Sequence, residues 1–325
     1  MAHRNSSISL LVIQLQAYYS YDMSNNAPQM AMSEWIMLIT LSILWGGSFF
    51  LVEVALEQLP PLTLVALRSS IAAIVLILFV IVTRRSFPFQ ASILFAFMVM
   101  SVFNNVIPFS LIVWGQTQIA GGLASILNAT SPLFILVAAH FLTQDEKMTP
   151  NKVAGLIVGF IGVCVIIGID FLYTMTDNIW GQVAVITASM SYALAGIYGK
   201  RFGKMGVRPV ALATGQVTFS SLIMIPMALL VENPTALSMP SEKVLWSIGL
   251  LGVLSTVVAY LIYFRILERA GATNALLVTL LVPVSAIIFG YLFLSERLFT
   301  NHFIGMGLIM IGLITIDGRL IRFAK

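Results

Sequence analysis

Charged residues are scarce in this sequence. Only 9% of its 325 residues are Asp, Glu, Lys or Arg, whereas 59% are hydrophobic and the mean hydropathy is +0.99. A water-soluble domain needs roughly a quarter of its residues charged to cover its surface. The composition therefore excludes a soluble globular protein and predicts a polytopic membrane protein, whose helices are solvated by lipid.

Residues that bind metals or form catalytic clusters are equally few. The one cysteine, Cys164, lies within an apolar run, which excludes an intrachain disulfide and a thiolate metal cluster. His140 and His302 fall near opposite faces of the predicted membrane, so we expect no metal site and no cofactor. The sequence contains no Walker, zinc-binding or G-x-S-x-G motif and no paired carboxylates within its apolar runs. We therefore predict that the chain is not an enzyme.

The basic residues indicate membrane topology rather than nucleic-acid binding. The net charge is +4, but Lys and Arg occur as short clusters between apolar runs and never form a continuous patch. Counted with Arg4, 14 of the 17 basic residues fall in alternate loops or in the final tail. The positive-inside rule then predicts an even number of spans in the cell inner membrane, with both termini in the cytoplasm.

Ten apolar runs are each long enough to cross a bilayer, which takes about 20 residues in a helix. The connections between them are short, so consecutive helices are expected to run antiparallel. The predicted fold class is therefore an all-α integral membrane protein with ten transmembrane helices, at about 34–54, 62–83, 91–113, 121–142, 153–172, 179–199, 209–231, 244–264, 272–294 and 299–317.

The second half of the sequence repeats the first. Residues 132–146, PLFILVAAHFLTQDE, and residues 283–296, PVSAIIFGYLFLSE, each join a proline, an apolar run and an acidic residue. Because each half contains five spans, an odd number, the two repeats are predicted to be inverted in the membrane. Inverted repeats recur in secondary transporters, where the substrate binds between them. Matching pairs lie 150 or 151 positions apart: Ala124 with Ala275, Pro132 with Pro283, Glu146 with Glu296, Gly155 with Gly305, and Gly162 with Gly312.

These repeats define the predicted domain organisation. The first repeat covers 33–172 with spans 1 to 5, and the second covers 179–317 with spans 6 to 10. Residues 318–325 are expected to form a basic cytoplasmic tail. Residues 1–32 contain no run long enough to span, and we interpret them as an N-terminal extension that is either disordered or the product of a mis-called start, with Met32 as the natural one.

Several motifs resemble those of a known family. They are WGGSFF at 45–50, PLTLVALR at 61–68, and two copies of a pattern of small residues, Pro, an apolar run, Glu and a Gly-containing span. The chain resembles the EamA-like carriers of the drug/metabolite transporter superfamily over about 33–317. The resemblance implies a bacterial inner-membrane protein with a central cavity between two bundles, which exports small metabolites such as amino acids.

The function predicted from these features is secondary active export of a small organic metabolite or drug-like compound by alternating access. Import or exchange of a sugar- or nucleotide-type metabolite is the alternative, and a membrane-embedded enzyme or sensor is a more distant one. The expected partners are a small-molecule substrate and the lipid bilayer, without nucleic acid. Coupling to protons or to a counter-substrate stays open, as does the choice between monomer and homodimer.

Polar and aromatic residues within the spans are the candidates for substrate binding. Arg68 is the one arginine clearly inside a span, where a charge is costly unless it pairs, snorkels or faces a cavity. Amides in lipid must find partners, and aromatic rings offer flat surfaces to organic ligands. Packing is the competing explanation for each residue. The predicted substrate-binding residues are Trp45, Ser48, Arg68, Asn104, Asn128, Tyr192, Tyr260 and Thr279.

Pro132 and Pro283 are predicted to act as hinges. A proline in a helix lacks the N–H that would bond to the carbonyl four residues earlier, which here belongs to Asn128 and Thr279. At 1.5 Å per residue, Glu296 lies roughly 20 Å from Pro283, so the prolines are expected near mid-membrane and the glutamates near the headgroups. Improved packing is the alternative role of the prolines.

Overall fold

The computed structural model describes residues 30–144, 147–167, 178–293 and 300–317. Within these residues every regular element is helical, as the composition predicts. The predictions for residues 1–29, Glu146, Glu296 and the 318–325 tail lie outside the described residues.

The described residues of the first half contribute five helical elements. Proline residues begin α2 and α5, where the missing N–H falls among the groups that a helix N-terminus leaves unpaired. Helix α4 is interrupted between Asn128 and Ser131. The elements are α1 (Met32–Leu56), α2 (Pro61–Val82), α3 (Ala91–Gly115), α4 (Gly121–Leu142) and α5 (Pro150–Ile167).

The second half contributes the remaining elements. Helix α8 kinks sharply at Gly271, whose φ of 84° lies in the left-handed region that glycine adopts without steric cost. This kink falls between the predicted eighth and ninth spans, so the chain turns where the sequence predicts a loop. The elements are α6 (Ile179–Lys204), α7 (Pro209–Val231), α8 (Glu242–Leu276), α9 (Val278–Phe293) and α10 (Thr300–Asp317).

The outer surface of the helices is apolar, as expected for a protein in lipid. Among the described residues, six helices are long and apolar enough to cross a membrane, namely α1, α2, α3, α4, α7 and α8. Large hydrophobic side chains are exposed on them, with Val82 78% and Leu230 86% accessible. Trp180 and Trp246 are exposed near helix starts, where tryptophans of membrane proteins meet the headgroups. The protein is therefore a multi-pass membrane protein.

The helices pack in a pattern that repeats between the halves. Helix α2 packs against α7, and α5 packs against α10. Helix α1 packs against α8 and α9, and α6 likewise packs against α3 and α4. Helices α5 and α10 pack mainly against each other and contact the rest of the assembly through α9 and α4.

Candidate functional site

A central cavity lies between the two halves of the chain. It receives side chains from α1, α2, α3, α4, α6, α8 and α9. The cavity volume is about 50 Å³. A single water needs roughly 10–15 Å³ of such volume. All eight predicted substrate-binding residues line it, together with Phe49, Val52, Phe109, Ile112, Val113, Gln116, Tyr263 and Leu276.

Two π-helical segments flank the cavity at matching positions of the two halves. Val102–Val106 interrupts α3 and Val253–Val258 interrupts α8, so their first residues are 151 positions apart. A π-turn widens the helix and leaves carbonyl groups free for other donors. The Phe103 carbonyl accepts a hydrogen bond from Ser191 of α6 at 2.7 Å. The segments therefore supply both polar side chains and backbone acceptors near the cavity.

Arg68 reaches the cavity from α2 and is anchored by the π-segment of α8. Its Nε donates to the Thr256 hydroxyl at 2.8 Å, and Nη2 donates to the Ser255 carbonyl at 3.2 Å. One face of the guanidinium lies over the Phe109 ring, 3.9 Å from the centroid. The side chain is only 5% accessible. Arg68 is thus a buried cation whose orientation is fixed by the second half of the chain.

The counterpart of this contact is neutral. Gln216 of α7 occupies the position that corresponds to Arg68, and its Oε1 accepts a hydrogen bond from Asn104 Nδ2 at 3.0 Å. Asn104 belongs to the π-segment of α3, as Thr256 belongs to that of α8. Both amides are buried. The contact between α2 and α8 therefore contains a charged residue, whereas the equivalent contact between α7 and α3 contains a pair of amides.

Aromatic side chains form much of the cavity wall. The Tyr260 hydroxyl donates to Asn105 Oδ1 at 2.7 Å, which fixes the ring within the core. Trp45 and Tyr263 lie with ring centroids 5.6 Å apart, and Tyr192 contributes a third face. Such surfaces suit the apolar part of an organic molecule.

The two proline regions differ in geometry. Pro132 is the second residue of the helical segment that starts at Ser131, because α4 breaks after Asn128. The Asn128 carbonyl accepts from the Ser131 hydroxyl at 2.7 Å and from the Ser189 hydroxyl at 3.5 Å. Protein donors therefore occupy the carbonyl that Pro132 cannot bond to, and the amide side chain of Asn128 lines the cavity.

In the second half, the proline lies inside a helix. Pro283 is within α9, and Thr279, one turn earlier, lines the cavity. The Thr279 hydroxyl donates to the Leu276 carbonyl at 2.8 Å. The helix breaks at 129–130, directly before the segment of Pro132, but at Leu277, six residues before Pro283, so the local geometry around the two prolines differs.

Two amide oxygens near the cavity lack a protein partner among the described residues. Gln116 donates its Nε2 to the Phe49 carbonyl at 3.0 Å, which leaves Oε1 buried and unpaired. Asn128 Oδ1 is also buried and unpaired. Ser48, in contrast, donates its hydroxyl to the Trp45 carbonyl at 2.7 Å. The cavity therefore offers one cationic group, two free acceptors and an aromatic wall.

Some lining residues were not among the predicted ones. Gln116 lies near the end of α3 and Tyr263 lies one turn beyond Tyr260, so position alone could have suggested both. Ser255 and Thr256, which bind Arg68, carried no comparable signal, because serine and threonine hydroxyls in a helix often bond to a carbonyl of the same helix. Ser255 and Thr256 lie in the π-segment that corresponds, 151 positions later, to the segment that contains Asn104.

Comparisons with known proteins agree with this architecture. The sequence model of the EamA-like transporter family matches residues 32–168 and 179–316. A solved crystal structure at 18% identity superposes with a TM-score of 0.71, covering 88% of this chain and 98% of its own, and thus has the same fold.

Named relatives are transporters. The uncharacterized transporter YoaV of Bacillus subtilis is 26% identical over 85% of this chain and 94% of its own. A probable amino-acid metabolite efflux pump of Escherichia coli is 28% identical over 87% and 94%. The uncharacterized inner membrane transporter YedA of Escherichia coli is 22% identical over 86% and 89%.

Proposed function

Because the chain belongs to the EamA-like transporter family, we propose that it is a secondary carrier that exports a small organic metabolite by alternating access. An amino acid or a similar compound is the proposed cargo, and the inner membrane is the proposed location. The observation that carries this proposal is a single polar and aromatic cavity built from both halves of the chain. The relatives named as an efflux pump and as an inner membrane transporter support the direction and the location.

The close contacts between α5 and α10 support an inverted repeat. A Cβ on Gly155 would lie 2.6 Å from the Gly312 carbonyl oxygen, and a Cβ on Gly162 would lie 2.7 Å from the Gly305 carbonyl oxygen. Early residues of one helix thus meet late residues of the other, so the pair runs antiparallel. Shifting each residue to its counterpart 150 positions away exchanges the two contacts. A two-fold axis in the membrane plane relates helices in this way.

Charges at equivalent helix ends support opposite orientations of the two halves. With Trp45 aligned to Tyr192, Glu53 corresponds to Lys200, and with Pro61 aligned to Pro209, Arg84 corresponds to Glu232. Each pair has opposite signs. The positive-inside rule gives the basic ends to the cytoplasm, so equivalent ends would lie on opposite sides. Ten spans with both termini in the cytoplasm satisfy this arrangement.

The size of the cavity supports alternating access. The cavity has room for about four waters, which together occupy roughly 120 Å³ of liquid, less than the volume of a medium-sized amino acid such as leucine. Substrate entry therefore requires the surrounding helices to separate on one side. We assign substrate contact to the eight predicted residues and hinge motion to the segments around Pro132 and Pro283.

Cysteine labelling tests the topology on which this proposal depends. Ser86 follows α2 and Ser238 follows α7, at comparable places in the two halves, and both are exposed. In a background with Cys164→Ser, a membrane-impermeant maleimide should label Ser86→Cys only in inside-out vesicles and Ser238→Cys only in right-side-out vesicles. Labelling of both positions from one side would eliminate the inverted repeat and the mechanism based on it.

A further inference from the structure

Arg68 is a buried cation whose hydrogen-bonding capacity is only partly used. A guanidinium has five N–H donors, and Arg68 uses one on Thr256 and one on Ser255. The ion pairs among the described residues join Lys243 to Glu57 and Arg269 to Glu34, so neither involves Arg68. Among the described residues that line the cavity, Arg68 is the one that carries a charge. Its remaining donors and its charge are therefore available to a ligand in the cavity.

The acceptors in the same cavity indicate the rest of the ligand. Gln116 Oε1 and Asn128 Oδ1 are buried without a protein partner in the described part of the chain. The amide of Gln116 is oriented by its bond to the Phe49 carbonyl, so its free end is an acceptor. Buried acceptors of this kind cost stability unless a donor reaches them. A ligand that brings both an anionic group and an N–H or ammonium group would satisfy Arg68 and these two oxygens together.

We propose that the cavity binds a small monocarboxylate through Arg68, with Gln116 and Asn128 accepting from its donor groups, and that the carrier works as an exchanger of such anions. This inference rests on the proposed carrier function and adds the charge of the substrate and the mode of transport. A carboxylate matches the planar fork of a guanidinium. One negative charge neutralises Arg68, whereas a dianion would leave a net charge of the opposite sign.

Exchange follows from the position of the charge. A cation in the bilayer interior is costly unless it is paired. When a carboxylate is bound, the Arg68 charge is paired, and the ammonium group of a zwitterionic ligand is held by the Gln116 and Asn128 oxygens, so the loaded site can close and pass between its two open forms. Without the carboxylate, closing the site buries an uncompensated charge. Reorientation of the loaded carrier is therefore favoured over that of the unloaded carrier, so an outgoing anion is replaced by an incoming one.

Matched ligands separate the contributions of charge and donor groups. Leucine has a carboxylate and an ammonium group, isocaproate has only the carboxylate, leucinamide has only the ammonium group with a neutral amide, and isoamylamine has only the ammonium group. The same four forms of alanine and phenylalanine extend the panel to smaller and aromatic side chains. In thermal-shift measurements on purified protein, at least one carboxylate should stabilise the protein, and its amide and amine should not.

Transport in proteoliposomes tests the exchange. Uptake of the stabilising labelled acid should be about a hundredfold faster into vesicles loaded with the same unlabelled acid than into vesicles without it, since an unpaired buried charge raises the barrier substantially. Arg68→Gln places in the first half the residue that its counterpart Gln216 already has, and it should bring the ratio of loaded to unloaded uptake close to one. Arg265→Gln, which removes an exposed cation, is the matched control and should keep the ratio.

The outcomes distinguish the two proposals. Equal uptake into loaded and unloaded vesicles by the unaltered protein would overturn exchange but leave the carrier standing. Transport of the amines without the acids would overturn the anionic substrate and also leave the carrier standing. No transport of any panel member would reject both. If Arg68→Gln fails to fold, Arg68→Lys keeps the charge and should retain the ratio with weaker binding, and a ratio near one in that variant would contradict the role of the charge.

Discussion

The central cavity and the α5–α10 pair use burial in opposite ways. Around the cavity, buried polar groups such as Arg68, Asn104 and Gln216 are held by side chains of other helices. Between α5 and α10, the helices meet through the backbones of Gly155 and Gly312, and the Ile316 side chain packs beside this contact. One region keeps space and polar groups for a ligand, while the other removes all space.

This difference separates the residues that stabilise the fold from those that we propose to bind the ligand. Small residues let helix backbones approach closely, which gives membrane helices much of their packing energy. None of the described residues of α5 and α10 lines the cavity. Substitutions in the pair should therefore affect folding with little effect on ligand preference, and substitutions near Arg68 should do the reverse.

Gly312→Ala should have the largest effect on folding. Its Cβ would lie 2.5 Å from the Gly155 carbonyl oxygen and 2.6 Å from the Gly159 backbone nitrogen. Because both neighbours are backbone atoms, the helices must move apart, and we expect a loss of about 1–3 kcal/mol in the free energy of unfolding. Gly307→Ala is the control, since a Cβ there meets nothing within 4 Å. Equal thermal unfolding temperatures for the two variants would show that the close contact contributes nothing.

Thr256→Val tests the opposite side of the comparison. Valine keeps the shape of threonine but removes the acceptor of Arg68 Nε, so the guanidinium loses one of its two anchors. We expect exchange of the stabilising acid in loaded proteoliposomes to fall about tenfold, as for loss of a hydrogen bond to a charged group. The ratio of loaded to unloaded uptake should fall with it, because the charge is less well placed.

Thr214→Val provides the control for this substitution. Thr214 is also buried, but its hydroxyl donates to the Val210 carbonyl of its own helix. Exchange by this variant should stay within about twofold of the unaltered protein. Valine has nearly the shape of threonine, and the hydrogen bond that is lost lies within one helix and does not involve Arg68. Equal losses in the two variants would mean that Thr256 acts through general packing.

The helices could be predicted from the sequence more fully than the details of the site. Lipid requires about 20 apolar residues per span, and prolines mark helix starts, so α7 begins and ends where predicted, at Pro209 and Val231. Gly271 likewise marks a turn, because glycine adopts a positive φ without steric cost. These features depend on local sequence, which is why composition and punctuation identify them.

The contacts of the site depend on tertiary structure. Nothing in the sequence VFNNV or VLSTVV specifies a π-helix, because that widening is stabilised by donors from other helices, such as Ser191 and Arg68. The eight predicted residues do line one cavity, since polar residues within spans avoid lipid. Which of them bind a substrate stays a prediction. The partners of Arg68 are the Thr256 hydroxyl and the Ser255 carbonyl. They could not be predicted, because the sequence does not show which helix a hydroxyl or a carbonyl will contact.

Lys243→Gln should have the smallest effect and defines the baseline for charge. Lys243 of α8 forms an ion pair with Glu57 at the end of α1, with Nζ and Oε1 2.7 Å apart. The two side chains are 60% and 51% accessible, so water screens the pair and it contributes less than about 1 kcal/mol. Thermal stability and exchange should both change little, within about twofold for the rate. Lys243 and Arg68 carry the same charge and both contact residues on another helix. A large effect of Lys243→Gln on exchange would mean that burial does not distinguish them, and that the ends of α1 and α8 control transport as strongly as the cavity does.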